Sequence, residues 1–280
     1  MITQALVSQA VAIQERRSGK PGQAVYSGRS RTILERGFYA FKSSSWLIVI
    51  SGFVEPVFYL LAFGFGIGQL IGDLEDGAGN LVSYAAFIAP ALRATSAMNG
   101  AIYDATWNVF FKMHFGKVYQ VMLQSSLGPL DVALGEISWA LLRGLSYSLG
   151  FMAIVTPIGL VTNLWGLLAI PAATLIAFGF ASIGMAITSY LKSFQQMNWI
   201  TFFLLPMFLF SGTFFPVSVY PQWIQTIVQL MPLWQGVELV RSLMLGIVHW
   251  GLLAHVAYFL VMIAGGLWFT TKRLTALFMR

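Results

Sequence analysis

Six apolar stretches, each near the roughly 20 residues an α-helix needs to cross about 30 Å of hydrocarbon, dominate this 280-residue chain. They fall at 46–68, 82–111, 137–161, 165–191, 197–217 and 248–270. The sequence therefore predicts an all-α integral membrane protein of six transmembrane helices. A soluble domain of this length carries about 25% charged residues, because it must cover itself with solvated side chains. Here only 9% are charged and 58% are apolar, so lipid must cover much of the surface.

Charge placement orients the spans. Arg16, Arg17, Lys20, Arg29, Arg31, Arg36 and Lys42 all precede the first stretch. Lys112 and Lys117 lie in the connection 112–136, Lys192 in the link 192–196, and Lys272, Arg273 and Arg280 in the tail, whereas 71–80 carries three acids and no base. All basic clusters fall on one side when both termini are cytoplasmic, which places the chain in the cytoplasmic membrane. Basic residues crowded at the edge of a span are held at anionic headgroups, so the net charge of +6 points to membrane lipid and not to nucleic acid. The first 20 residues hold no uninterrupted apolar core, which argues against a cleavable signal peptide. Cysteine is absent, which removes disulfides and Cys-ligated metals.

The chain divides into a cytoplasmic N-terminal segment 1–45, a transmembrane domain 46–270 and a cytoplasmic tail 271–280. Residues 1–17 read as a short amphipathic helix, 18–30 as a Gly/Ser/Pro linker, and 31–45 as a basic and aromatic helix lying in the membrane interface. Two connections are unusual. Residues 112–136 form a long cytoplasmic segment with a helix before Gly128-Pro129. Residues 218–247 lie outside by the topology yet are strongly apolar, and Pro221 and Pro232 cut them into pieces too short to cross. That combination predicts a re-entrant helical hairpin before the last span.

Charged and polar groups within lipid are functional candidates by default. Glu55 lies about 14 Å into the first span and Arg93 about 17 Å down the oppositely directed second span, which predicts that they pair at mid-membrane. The pair either staples neighbouring helices or lines a polar path through the membrane together with Asn99. Asp104 and Arg143 form a second candidate pair, most simply an interfacial staple between spans two and three. Glu238 and Arg241 stand three residues apart and pair along one short helix. His255 reads as hydrogen-bonded packing.

Catalytic chemistry is missing. There is no HExxH, no GxSxG, no metal-ligand cluster and no second acid at the depth of Glu55. GxxxxGK[ST] is absent too, since Gly19-Lys20 and Gly116-Lys117 lack the earlier glycine. The chain is expected neither to cleave bonds nor to hydrolyse ATP.

The segment 208–246, FLFSGTFFPVSVYPQWIQTIVQLMPLWQGVELVRSLMLG, resembles the signature of the second-type ABC exporter permeases: SGxFFP at 211–216, Pro232-Leu233, then Arg241. Gln235 departs from it, standing where that family often has His, Tyr, Ser or Arg. The runs FVEPVFYLLAFGFGIG at 53–68 and FIAPALRATSAMNGA at 87–101 are similar to the nodulation-factor branch. The resemblance, over about residues 30–275, implies six spans, an interface helix before the first, and an extracellular re-entrant hairpin carrying Pro216, Pro232, Glu238 and Arg241. It implies two permeases, identical or related, with two separate ATP-binding-cassette ATPase subunits that bind the ATP and Mg, leaving no cofactor in this chain. The stretch 117–129 would match the coupling helix that docks on the ATPase, with Lys117, Val118, Tyr119, Met122, Leu123 and Pro129 as coupling residues. The expected cargo is hydrophobic or amphipathic: drug-like, lipid or lipo-oligosaccharide. The aromatic residues of span five (Phe202, Phe203, Phe208, Phe210, Phe214, Phe215) suit such cargo. The reading from another class is a non-transporting membrane scaffold or receptor.

Overall fold

A computed structural model of the chain describes residues 25–42, 47–75, 79–161 and 163–279. The amphipathic helix expected at 1–17 lies outside the described residues.

Helix α1, Ser30–Lys42, covers most of the expected interface segment. Its alternation of basic and apolar residues leaves one face to dock, and glycine opposite a large side chain decides where. Ile33 fills the space beside Gly135, and Gly37 sits under the Trp139 ring, which Phe38 meets edge-on at 5.4 Å. Helix α2, Leu47–Tyr59, contains Pro56. A proline inside a helix frees the carbonyl four residues earlier, and the Ser96 hydroxyl stands 3.4 Å from that Gly52 oxygen. Beyond Tyr59 the helix widens into a π-helical stretch, Leu60–Ile67, and closes with the turn Gly68–Ile71.

The acidic link at 71–80 forms part of a hairpin that an all-helical expectation lacks. Strands β1, Asp73–Glu75, and β2, Leu81–Ser83, pair antiparallel with Asp73 opposite Ser83. Ser83 then caps α3, Tyr84–Tyr103, by accepting from the Ala86 N–H at 3.3 Å. Helix α3 passes through a second π-helical stretch, Asp104–Asn108, into α4, Val109–His114. Lys117, in the left-handed conformation, turns the chain into α5, Val118–Gln124. Helix α6 runs from Pro129 to Val155, so it begins eight residues before the expected third span: Pro129 fits the first helical turn, where a missing N–H costs nothing.

Helix α7, Ala169–Thr188, follows a 3-10 turn at Leu164–Leu168. Helix α8 is shorter than the expected fifth span, Asn198–Phe210 after a 3-10 turn at Phe194–Met197, because the chain breaks at Ser211-Gly212 with Gly212 at positive φ. The apolar segment after it holds α9, Gln222–Leu230, and α10, Pro232–Leu245, divided at Pro232. Helix α11, Leu252–Phe278, ends the described chain.

Helices α3, α6, α7 and α11 form the body, with α10 wedged among α3, α7 and α11. The segments Val54–Ile71, Pro129–Val155, Leu164–Thr188 and Leu252–Phe278 each combine the length and apolarity needed to cross a membrane. The second expected span is long enough but carries Arg93, Asn99, Asp104 and Asn108; the fifth contributes only 13 α-helical residues.

Apolar side chains gain little by leaving lipid for protein, so membrane helices associate through close approach at small residues. At the α7–α11 contact a Cβ on Gly266 would stand 2.6 Å from the Ser182 carbonyl carbon. Backbone cannot yield there. Gly266→Ala is expected to cost about 1–3 kcal/mol, read as a lowered midpoint in detergent unfolding. Gly265→Ala, with open space around it, should leave the midpoint unchanged.

Candidate functional site

Between α2, α3 and α8 lies a cavity of about 550 Å³. Its floor is polar: Glu55 from α2, Thr95, Asn99 and Tyr103 from α3, and Thr201 from α8. Its upper wall is aromatic. Tyr59, Phe63, Phe214 and Phe208 form a closed ring of contacts, with successive centroids 6.0, 5.1, 5.3 and 5.8 Å apart. Both π-helical stretches border this space, the first through Phe63 and Ile67, the second directly after Tyr103. Such widened turns interrupt regular backbone pairing and recur at functional sites. A larger hollow of about 700 Å³, beside α7, α10 and α11, is lined by apolar side chains with His249 as its only ionisable one. It offers shape but little chemistry.

Glu55 is exposed to the cavity; Arg93 is not. The expected Glu55–Arg93 pair does not form. Arg93 is fully buried and points the other way, its Nε donating to Ser148 Oγ at 3.1 Å and its Nη1 contacting Met152 Sδ at 2.8 Å, both on α6. Equal depth does not fix rotation about the helix axis. At 3.6 residues per turn Arg93 shares the face of Asp104, while Thr95, Asn99 and Tyr103 share the face that meets Glu55.

Asp104 and Arg143 do pair, at 2.9 Å, and Asn108 Nδ2 also donates to Asp104 at 3.2 Å. One level further along, Lys112 meets Glu136 at 2.6 Å. Both pairs tie the α3–α4 helix to α6. Arg241 is buried and clamps three regions: Nη2 donates to the Gly212 carbonyl at 2.5 Å, its guanidinium lies 4.0 Å above the Phe87 ring, and Glu238 stands 3.6 Å away. It thus holds the 211–216 loop, with Pro216 at its end, against α3 and α10. Arg241→Lys keeps the charge but loses the planar fork and the stack, and is expected to cost about 1.5–3 kcal/mol, with faster proteolysis at 211–216. Pro232 starts α10, and Gln235 bonds His255, joining α10 to α11.

The coupling candidates divide. Tyr119 and Leu123, one helical turn apart, pack into the body beside Ile33, Ile137 and Leu274. Burial pushes the Tyr119 phenol well above its ordinary pKa. These two cannot present themselves to a partner, which corrects their expected docking role. Val118 and Met122 are half-buried on the flanks, and Pro129 is buried at the start of α6. The open face consists of Lys117, Gln120, Gln124 and Val121, the last 68% exposed.

Sequence reasoning missed Asp131. Its carboxylate accepts from the backbone N–H of Ser27, Arg29 and Gly128 at 2.6, 2.8 and 3.0 Å, while the Leu130 N–H donates to the Val25 carbonyl at 3.0 Å. This knot fixes the approach to α1 onto the start of α6. Its position three residues after Gly128, with Pro129 between, is a helix-capping signal that points to the Gly128 contact; the long-range contacts have no local signal. Of the aromatic residues in span five, Phe208, Phe214 and Phe215 line the cavity, whereas Phe202, Phe203 and Phe210 are exposed and outside its lining.

The described residues thus combine a helical body, four of whose helices are long and apolar enough to cross a membrane, with an amphipathic cavity. Residues 29–245 match the ABC-2 type transporter family, and the chain belongs to it. It is 31% identical over 226 residues to nodulation protein J of Sinorhizobium fredii (strain NBRC 101917 / NGR234), covering 80% of this chain and 84% of that one. With nodulation protein J of Rhizobium leguminosarum bv. viciae the identity is 30% over 215 residues, 76% and 81% of the two chains. With the inner membrane transport permease YadH of Escherichia coli (strain K12) it is 26% over 201 residues, 68% and 70%.

Proposed function

We propose that the chain is the membrane half of an exporter that moves an amphipathic substrate out across the cytoplasmic membrane, driven by separate ATP-binding subunits and working beside a second permease. The observation that carries this reading is mechanical continuity. One helix runs from the cavity wall at Tyr103 through Asp104–Asn108 and Val109–His114 to the exposed helix Val118–Gln124. That last helix is anchored in the body by Tyr119 and Leu123, so a push on its open face reaches the cavity without being absorbed by a loose loop. The partner would bind the ATP and Mg; this chain contributes the contact.

The same reading assigns six spans with both termini cytoplasmic. The helix 84–114 crosses despite its polar residues, because they face protein or cavity. Helix α8 with its 3-10 turn makes the short fifth span, and α9 with α10 dips into the outer leaflet as a re-entrant hairpin. Among the drug-like, lipid and lipo-oligosaccharide cargoes expected, the likeness to nodulation protein J favours a lipo-oligosaccharide, and the aromatic upper wall suits an apolar part in any of them.

The chain has no cysteine, so an introduced one is unique. Val121→Cys should cross-link to a co-purifying subunit that carries GxxxxGK[ST], while Met113→Cys, buried in the body, should not. Failure of Val121→Cys to capture any such subunit from native membranes would favour the scaffold reading.

A further inference from the structure

We infer that the cavity recognises positively charged amphiphiles, with Glu55 taking the cationic group and the four-ring cluster taking the apolar body. The inference rests on the export reading of the same cavity and narrows its substrate class.

It begins with the distribution of charge. Asp104 is paired with Arg143, Glu136 with Lys112 and Glu238 with Arg241, while Asp131 is saturated by backbone N–H groups. Arg93 is committed to α6. Among the described residues of the helical body, Glu55 has neither a basic partner nor the backbone donors that saturate Asp131, and it is the one charged side chain in the lining of the cavity it faces. A carboxylate opening onto a largely apolar hollow is costly unless something compensates it. The described lining offers it neutral polar groups and no cation, so the compensating charge is left for the cargo to bring.

The walls are built for the same sign. Aromatic faces carry negative potential and attract cations held within about 6 Å, most strongly where water is excluded. Tyr59 stands one turn beyond Glu55 on α2 and joins Phe63, Phe208 and Phe214 in the ring cluster. An ammonium or phosphonium group at Glu55 therefore meets a carboxylate and π-faces together. An anionic amphiphile meets the same carboxylate as repulsion. Glu55 thus acts as the group that discriminates by sign, and the rings discriminate little among apolar bodies.

The test uses the full-length chain in phosphatidylcholine nanodiscs and two ions of one shape and opposite charge, tetraphenylphosphonium and tetraphenylborate. Binding is measured by equilibrium dialysis against empty nanodiscs. The expected result is saturable tetraphenylphosphonium binding and no saturable tetraphenylborate binding. Glu55→Gln should weaken the cation by about tenfold or more, and Glu55→Asp, which keeps the charge, by less. Equal binding of the two ions, no saturable cation binding, or equal affinity in wild type and Glu55→Gln overturns the inference. Should Glu55→Gln not fold, the comparison of the two ions on the wild type still decides. No ATPase is needed, so a failed export reading and a failed cation reading give separate results.

Discussion

Replacing Arg143 by methionine is expected to destabilise the protein by about 3–5 kcal/mol, because it strands the Asp104 carboxylate in the body without its cation. Asp104 is 2% exposed and Arg143 26%, so the carboxylate has no route to solvent while the arginine has a partial one. The asymmetry makes the outcome directional. Asp104→Asn removes the charge that needs compensation and leaves Arg143 partly solvated, so it should cost less than Arg143→Met. The double variant Arg143→Met, Asp104→Asn should recover most of the loss. Equilibrium unfolding in mixed micelles measures all three. Additive losses in the double variant would show that the two side chains act separately and that the pair is not the fastening between α3 and α6.

The second large effect lies on α5, beyond the turn at Lys117. Val121→Asp should reduce ATP-driven export by about tenfold or more, the loss expected when a charge is forced into an apolar contact worth at least 1.4 kcal/mol. It should leave the unfolding midpoint in place, since Val121 projects from the body. Tyr119→Ala should do the reverse at first, lowering the midpoint through a loss of about 3–5 kcal/mol of stability to the cavity it opens, and losing export only because the helix loses its anchor. The contrast separates a contact made with a partner from a contact made with the permease itself. Transport that survives Val121→Asp would remove Val118–Gln124 from the coupling path.

How much of this was legible in the sequence differs from residue to residue. The helical body and its breaks at Pro221 and Pro232 follow from apolar length and proline chemistry, and the structure places α9 and α10 around those breaks. Asp104 with Arg143 was legible because opposite charges at one level of adjacent helices have few alternatives. Glu55 with Arg93 was not, although the sequence held the contradiction. Arg93 and Asp104 are eleven residues apart, about three turns, so if Asp104 faces α6 then Arg93 must face it too. Depth along a helix leaves its phase open, and phase decides the partner. Tyr119 and Leu123 failed for a different reason: an apolar face on a short connecting helix looks the same whether it meets a partner or its own body, and only tertiary packing decides. The Asp131 knot joins residues 102 to 104 positions apart, a distance at which no periodicity speaks. The hairpin of β1 and β2 has three residues per strand, too few for an alternation to register.

Force applied at Val118–Gln124 is expected to open or close the cavity beside Glu55. The most direct measurement places single cysteines at Val121 and Thr201 of the otherwise cysteine-free chain. The first is cross-linked to the co-purified ATPase, and the second reports thiol accessibility of the cavity during ATP hydrolysis. ATP with vanadate should change labelling at Thr201→Cys, and Val121→Asp should abolish the change. Labelling at Thr201→Cys that is indifferent to ATP, with the ATPase bound, would contradict that coupling.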